Sequence, residues 1–199
     1  MSQMSRHEYK AVVVGVSAGG LTTLTELFSL LPGNFSLPML VVQHLHPEQV
    51  ESMSDTLARS CALTVKDAVD KEEVRPGCVY FAPPNYHLLV ERGGSLALSM
   101  DDKVNWARPS IDVLFESAVY AWAPALVGVI LTGANNDGAQ GLRQIKEHGG
   151  LTIAQDPKTA EYPEMPLAAI DTGAVDMVLT IEKIGELLKE FGTRSTEDE

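Results

Sequence analysis

The apolar run Ala11–Val14 leads through Gly15-Val16-Ser17-Ala18-Gly19-Gly20 into a helix-like stretch, Leu21–Leu31. This unit of strand, glycine turn and helix constrains the fold most, because the same alternation continues along the chain. Pro32-Gly33-Asn34 breaks the first helix, and Pro38 opens a second apolar run, Met39–His44. A polar helix is expected from about Pro47 to Ser60, with Val50, Met53 and Leu57 on one face. Cys78–Ala82 reads as a short strand stopped by Pro83-Pro84, and His87–Glu91 and Ser95–Ser99 flank Arg92-Gly93-Gly94 as a hairpin would. A long helix starting at Pro109-Ser110 turns Ile111, Leu114, Phe115, Ala118 and Trp122 inward; proline suits a first turn, where its missing N–H is not needed. A strand over Val127–Gly133 follows, then a helix from about Gly138 to His148 closed by Gly149-Gly150. The remainder reads as a strand (Leu151–Ala154), a short helix (Pro166–Asp171), a strand (Asp176–Leu179) and a final helix (Ile181–Phe191).

Strands alternating with helices predict an α/β fold: a doubly wound, mostly parallel sheet with helices on both faces and one antiparallel hairpin. No linker, repeat or low-complexity tract divides the 199 residues, so a single domain over 1–199 is expected, with its core at about 9–189 and an acidic tail at 192–199. The net charge of −12 argues against nucleic acid or an anionic membrane as the main partner. Cys61 and Cys78 are too few for a disulfide framework and lack metal-ligand spacing, so both read as reduced structural thiols. Residues 1–10 hold no apolar signal core and no run approaches a membrane span, so a cytoplasmic location without direct membrane insertion is expected.

In open α/β sheets, ligands bind beyond the carboxyl ends of the strands. Three candidate groups fall there: Ser17, His44 and Asp137. A G-x-S-x-G turn lifts its serine hydroxyl from the backbone, beside helix N–H groups able to stabilise an oxyanion. A serine hydroxyl is a weak nucleophile until a histidine takes its proton, and that histidine needs a carboxylate to fix its tautomer. The three residue types at one rim therefore point to a serine hydrolase, with no role for a metal or cofactor.

Each has a competing explanation. The turn is one substitution from the dinucleotide fingerprint G-x-G-x-x-G. Ser17, however, replaces the glycine that lets backbone approach a pyrophosphate, and the second strand ends in Gln43-His44 where a ribose-binding acid belongs. His46 rivals His44, although His44 stands at the strand terminus and His46 next to Pro47. Asp137 lies in the turn-forming run Asn135-Asn136-Asp137-Gly138 and could simply cap the helix after it. His7, His87 and His148 read as structural or exposed.

Several segments occur in the order of a known family: Val14–Gly20, Val41–His44, Ala82–Pro84 with His87–Val90, Arg108–Phe115, Ile130–Gly133 with Asp137-Gly138, and Gly150–Asp156 with Met165-Pro166. On these the chain resembles, from about Tyr9 to Leu188, the catalytic domain of CheB, the protein-glutamate methylesterase of bacterial chemotaxis. The resemblance implies Ser17 as nucleophile, His44 as general base and Asp137 as orienting carboxylate. It also implies the backbone N–H at Ala134 as part of the oxyanion hole; the N–H of Ala18, beside the start of the first helix, is the expected second donor. The implied substrate is a glutamate γ-methyl ester on the cytoplasmic helices of a methylated chemotaxis receptor, with glutamate and methanol as products; receptor glutamines can be deamidated similarly. A serine esterase or amidase acting on another substrate, or a non-catalytic binding module, are the alternatives.

Three departures from the family stand out. Ala134-Asn135 replaces the usual Met-Gly, and Glu164 stands where glycine often precedes Met-Pro. Only about nine residues precede the first strand, so gating by a phosphoacceptor domain in cis is not expected; activity would be constitutive or controlled by a separate regulatory protein.

Overall fold

A computed structural model describes residues 9–44 and 53–193. In chain order the first half comprises β1 (Ala11–Val16), α1 (Gly20–Ser29), β2 (Met39–Gln43), α2 (Met53–Ala58), β3 (Thr64–Asp67), β4 (Cys78–Phe81), β5 (His87–Val90) and β6 (Leu96–Ser99). The second half comprises α3 (Ile111–Trp122), β7 (Leu126–Ile130), α4 (Ala139–Glu147), β8 (Leu151–Gln155), α5 (Glu164–Asp171), β9 (Met177–Leu179) and α6 (Ile181–Gly192).

Seven strands form one sheet in the order β3-β4-β2-β1-β7-β8-β9. Every pairing within it is parallel. β5 and β6 make a separate antiparallel hairpin, His87 opposite Ser99. This is the expected doubly wound α/β architecture. From β1 the chain winds outward through β2 on one side and later through β7 on the other, so the topological switch point lies between β1 and β7.

The alternation of side chains along β1 divides the core. Val12, Val14 and Val16 belong to an apolar cluster with residues of α1, α2 and α6, such as Leu24, Leu57 and Ile184. Ala11 and Val13 belong to a second cluster with residues of α3, α4 and α5, such as Phe115, Leu142 and Met165. All six residues of β1 are buried, as a central parallel strand covered on both faces requires.

Three local readings are corrected, and a fourth falls partly outside the described residues. β3 escapes sequence pattern because it is an edge strand whose Thr64, Val65, Lys66 and Asp67 are exposed or half-buried, with no apolar run to reveal it. Pro109 does not open α3: Ser110 is extended at φ −109° and ψ 140° and is the N-cap, so the helix begins at Ile111. The strand expected to reach Gly133 ends at Ile130. Residues 131–133 remain tied to their neighbour, Leu131 N–H donating to Gly15 O at 2.9 Å. The helix expected from Pro47 is described only over Met53–Ala58; Val50 and residues 47–52 lie outside the described residues, as do His7, His46 and the tail from 194. Among the described residues no helix is long and apolar enough to cross a membrane.

Candidate active site

β1, β2 and β7 are neighbours, and all three end at one edge of the sheet. Val16 is level with Gln43, and Gly15 with Ile130. Pairing continues past the strand ends: His44 N–H donates to Val16 O at 3.1 Å, and Ser17 N–H to Thr132 O at 2.9 Å. Ser17, His44 and the loop leading to Asp137 thus leave the sheet side by side. The Gln43 side-chain amide reinforces this, donating to Ser17 O and His44 O at 2.8 Å each.

His44 Nε2 lies 2.8 Å from Asp137 Oδ2, with the two side chains 13% and 1% exposed. Asp137 also accepts from Ile111 N–H at 2.7 Å, Asp112 N–H at 3.3 Å, Ser110 Oγ at 2.8 Å and Asn105 Nδ2 at 2.7 Å. Its carboxylate therefore caps the first turn of α3, where the helix dipole favours negative charge. It does not cap its own helix: the N-cap of α4 is Gly138. Burial pushes the Asp137 carboxyl upward, but hydrogen bonds from His44, Asn105 and Ile111 outweigh burial and hold it below the usual carboxylate range. An ionised carboxylate only accepts, so His44 Nε2 carries a proton, which in the neutral ring leaves the lone pair on Nδ1. Asn135 Nδ2 stands 3.1 Å from that Nδ1.

Asp112, beside this pair, shifts the other way. Burial pushes its carboxyl up, and the charge of Asp137 adds to the rise, although the Gly141 N–H and Asn105 oppose it. Asn105 bridges the two acids, its Nδ2 lying 2.7 Å from each. It is presented by a reversal in which Asn105 and Trp106 have φ of 51° and 63°. The chain closes on both sides through reciprocal bonds between Val104 and Ala107.

Ser17 is half-buried, and its hydroxyl makes no hydrogen bond among the described residues, including none to His44. The left-handed residue of its turn is Gly19, at φ 77°, the N-cap of α1; Ser17 itself does not take a positive φ. Gly133 packs directly behind the nucleophile candidate. A Cβ there would stand 2.9 Å from Ser17 Cβ and 2.0 Å from Met165 Sδ, so only glycine fits without displacement.

The N–H groups of Ala18 and Ala134 donate to nothing among the described residues. Their direction follows from peptide geometry, because a trans peptide aims N–H opposite to C=O. Ser17 O is held by Gln43 and by Gly20 N–H at 3.0 Å, which turns the Ala18 N–H away from that side. Gly133 O accepts from Met165 N–H at 2.8 Å, which turns the Ala134 N–H away in the same manner.

Of the candidates, His44 and Asp137 are brought into contact and Ser17 stands at the adjoining strand end; His46 lies outside the described residues. His87 is structural, its Nε2 3.0 Å from Asp102 O and its Nδ1 accepting from Ser110 N–H at 3.2 Å. Glu164 opens α5, an acid in a first turn, where it complements the helix dipole. Sequence reading missed Asn105, Ser110 and Asp112 as supports of Asp137. Ser110 and Asp112 lay in a recognised segment without an assigned role, and no local signal marked Asn105. Among the described residues no group of three or more His, Cys, Asp or Glu is placed to hold a metal ion.

Comparison with known proteins agrees with this architecture. The CheB methylesterase family profile matches residues 12–188. A Leptospira interrogans relative is 49% identical over 179 residues, covering 90% of this chain and 93% of the relative. The protein-glutamate methylesterase/protein-glutamine glutaminase of Thermotoga maritima is 40% identical over 185 residues, 92% of this chain and 54% of that protein, so this chain spans about half its length. The crystal structure of the Thermotoga maritima CheB methylesterase catalytic domain matches with a TM-score of 0.87 and 39% identity, covering 92% of this chain and 98% of that one. With its fold, strand-end motifs and relatives in agreement, the chain belongs to the CheB methylesterase family.

Proposed function

We propose that this chain is a protein-glutamate methylesterase in which Ser17, His44 and Asp137 carry a two-step acyl transfer. The observation that carries the reading is the His44–Asp137 contact of 2.8 Å, set at the α3 N-terminus beside a serine hydroxyl with no hydrogen-bond partner among the described residues. Ser17 Oγ attacks the γ-carbonyl of a glutamate methyl ester as its proton passes to His44 Nδ1. Asp137 keeps the ring in the required tautomer and stabilises the imidazolium. The carbonyl oxygen, now an oxyanion, is received by the N–H groups of Ala18 and Ala134, each worth about 3–4 kcal/mol in a transition state when well placed. His44 returns the proton to the departing methoxide, and methanol leaves. Water, deprotonated by the same nitrogen, then cleaves the glutamyl ester on Ser17 and restores the hydroxyl. A glutamine side chain follows the same route with ammonia as the leaving group.

The family supports a substrate class of methyl esters and glutamines on the cytoplasmic helices of a chemotaxis receptor, and with it a cytoplasmic site of action. Residues 9–189 act as one catalytic unit, both apolar clusters lying against the same sheet. The test is methanol release from methylated receptor membranes, measured beside hydrolysis of a small methyl ester. Release from the receptor that is abolished in Ser17→Ala supports the reading. Hydrolysis of the small ester alone would make the chain an esterase with another substrate. No hydrolysis of either, with Ser17 inert to serine reagents, would make it a binding module.

A further inference from the structure

Asn135 stands where the resemblance leads one to expect glycine, and its side chain makes two contacts that glycine could not make. Its amide orientation is fixed by chemistry: Oδ1 accepts from Asp137 N–H at 2.9 Å, which only an acceptor can do. Nδ2 is therefore the atom 3.1 Å from His44 Nδ1, and it must donate there. Because His44 Nε2 donates its N–H to Asp137, Nδ1 is the position left with a lone pair in the neutral ring. That lone pair is the one Ser17 needs.

We propose that Asn135 is a positioning residue that latches the general base, occupying His44 Nδ1 in the resting enzyme until substrate displaces it. This rests on the reading of His44 as the base for Ser17. The surroundings suit a latch. Gly133 and Asp137 are held on either side, Gly133 by Tyr162 and Met165, and Asp137 by α3. Ala134, Asn135 and Asn136 between them are exposed. Release needs one rotation of the Asn135 side chain between staggered positions, with water replacing both His44 Nδ1 and Asp137 N–H as its partners. Ala134 carries the N–H proposed to receive the substrate carbonyl, so loading that N–H and displacing the neighbouring side chain occur on one short segment. A neutral, exposed hydrogen bond exchanged with water is a weak restraint, so the latch tunes the rate rather than blocking it.

Asn135→Ser is the discriminating variant: its hydroxyl keeps an acceptor for Asp137 N–H and is too short to reach His44. Asn135→Gly removes both contacts. The probes are phenylmethylsulfonyl fluoride, read as the rate of Ser17 modification, the kinetics of methanol release from methylated receptor, and the 15N spectrum of the His44 ring. In Asn135→Ser, sulfonylation is expected to speed up about fivefold, the size of one neutral hydrogen bond. The kcat/KM for methylated receptor should rise similarly, through KM, and the His44 Nδ1 resonance should move downfield as its donor is lost. An unchanged sulfonylation rate with an unmoved resonance overturns the latch. So does a fall in kcat at constant KM, which would make Asn135 a support of the transition state. Failure of the underlying reading shows separately: sulfonylation of the parent would then persist in Ser17→Ala or His44→Ala.

Discussion

Two turns on neighbouring strands use one backbone device for opposite ends. The turn after β1 and the loop after β7 both reach their helix through a left-handed glycine N-cap, Gly19 at φ 77° and Gly138 at φ 93°. Neither helix receives a side-chain cap from its own N-cap residue. In the β1 turn the chemistry-bearing side chain, Ser17, has no hydrogen-bond partner among the described residues. In the β7 loop, Asp137 is 2% exposed and accepts hydrogen bonds from His44, Asn105, Ser110, Ile111 and Asp112. In the proposed roles, a nucleophile has to move toward a carbonyl, whereas an orienting carboxylate has to stay still and stay charged. The fold supplies the difference by placing the α3 N-terminus over one turn and leaving the other open.

Breaking the rigid side should have the larger effects. Asp137→Asn leaves one acceptor oxygen where several donors converge and reverses the partner of His44 Nε2; kcat for methanol release should fall by roughly a thousandfold to ten-thousandfold while the sheet stays folded by circular dichroism. On the open side, Gly133→Ala forces a Cβ against Ser17 Cβ and Met165 Sδ. Displacing Ser17, the proposed nucleophile, in this way should cost about a hundredfold in kcat, with a stability loss of about 1–3 kcal/mol in urea titrations. Asn105→Gly tolerates the φ of 51° and removes only the amide shared by Asp112 and Asp137. It should lower stability by about 2–4 kcal/mol and activity by roughly tenfold, since charge-assisted bonds are at stake.

The two acids also predict opposite pH dependences of stability. The Asp137 carboxyl is held below its ordinary range, so its contribution is full above that range and is lost as pH falls through the lowered value. Asp112 is raised, so ionising it opposes folding, and stability recovers as pH falls through the raised value. Denaturant midpoints measured from neutral to acid pH should show the acid loss flattened in Asp137→Asn, with the recovery absent in Asp112→Asn. The smallest effect is expected at Trp106, which is 95% exposed in a left-handed conformation at φ 63°. Trp106→Gly should raise stability by about 0.5 kcal/mol, relief of backbone strain slightly exceeding the entropy cost of glycine.

The same contrast explains what the sequence made legible. Ser17 and His44 stand just beyond apolar runs and Asp137 in the loop after a third, and a parallel sheet carries such positions to one edge, so local pattern made all three candidates. What Asp137 does could not be found locally. Its turn-forming neighbours suggested a cap for the following helix, whereas its partners Ser110, Ile111 and Asp112 come from the start of a helix more than twenty residues earlier. Asn135 does form the expected local turn, through its Oδ1, yet its other end reaches a histidine on a different strand. β3 was invisible because an edge strand with half-exposed Lys66 and Asp67 carries neither an apolar run nor clean alternation.

The most direct test is an acid-quench experiment on this chain mixed with methylated receptor, in which the covalent intermediate is sought by gel and peptide mass spectrometry. Acyl transfer through the β1 turn predicts a transient ester joining the receptor glutamate to Ser17, formed as methanol is released and absent in Ser17→Ala and His44→Ala. Methanol released with no such ester, or an ester mapped to another residue, would contradict it.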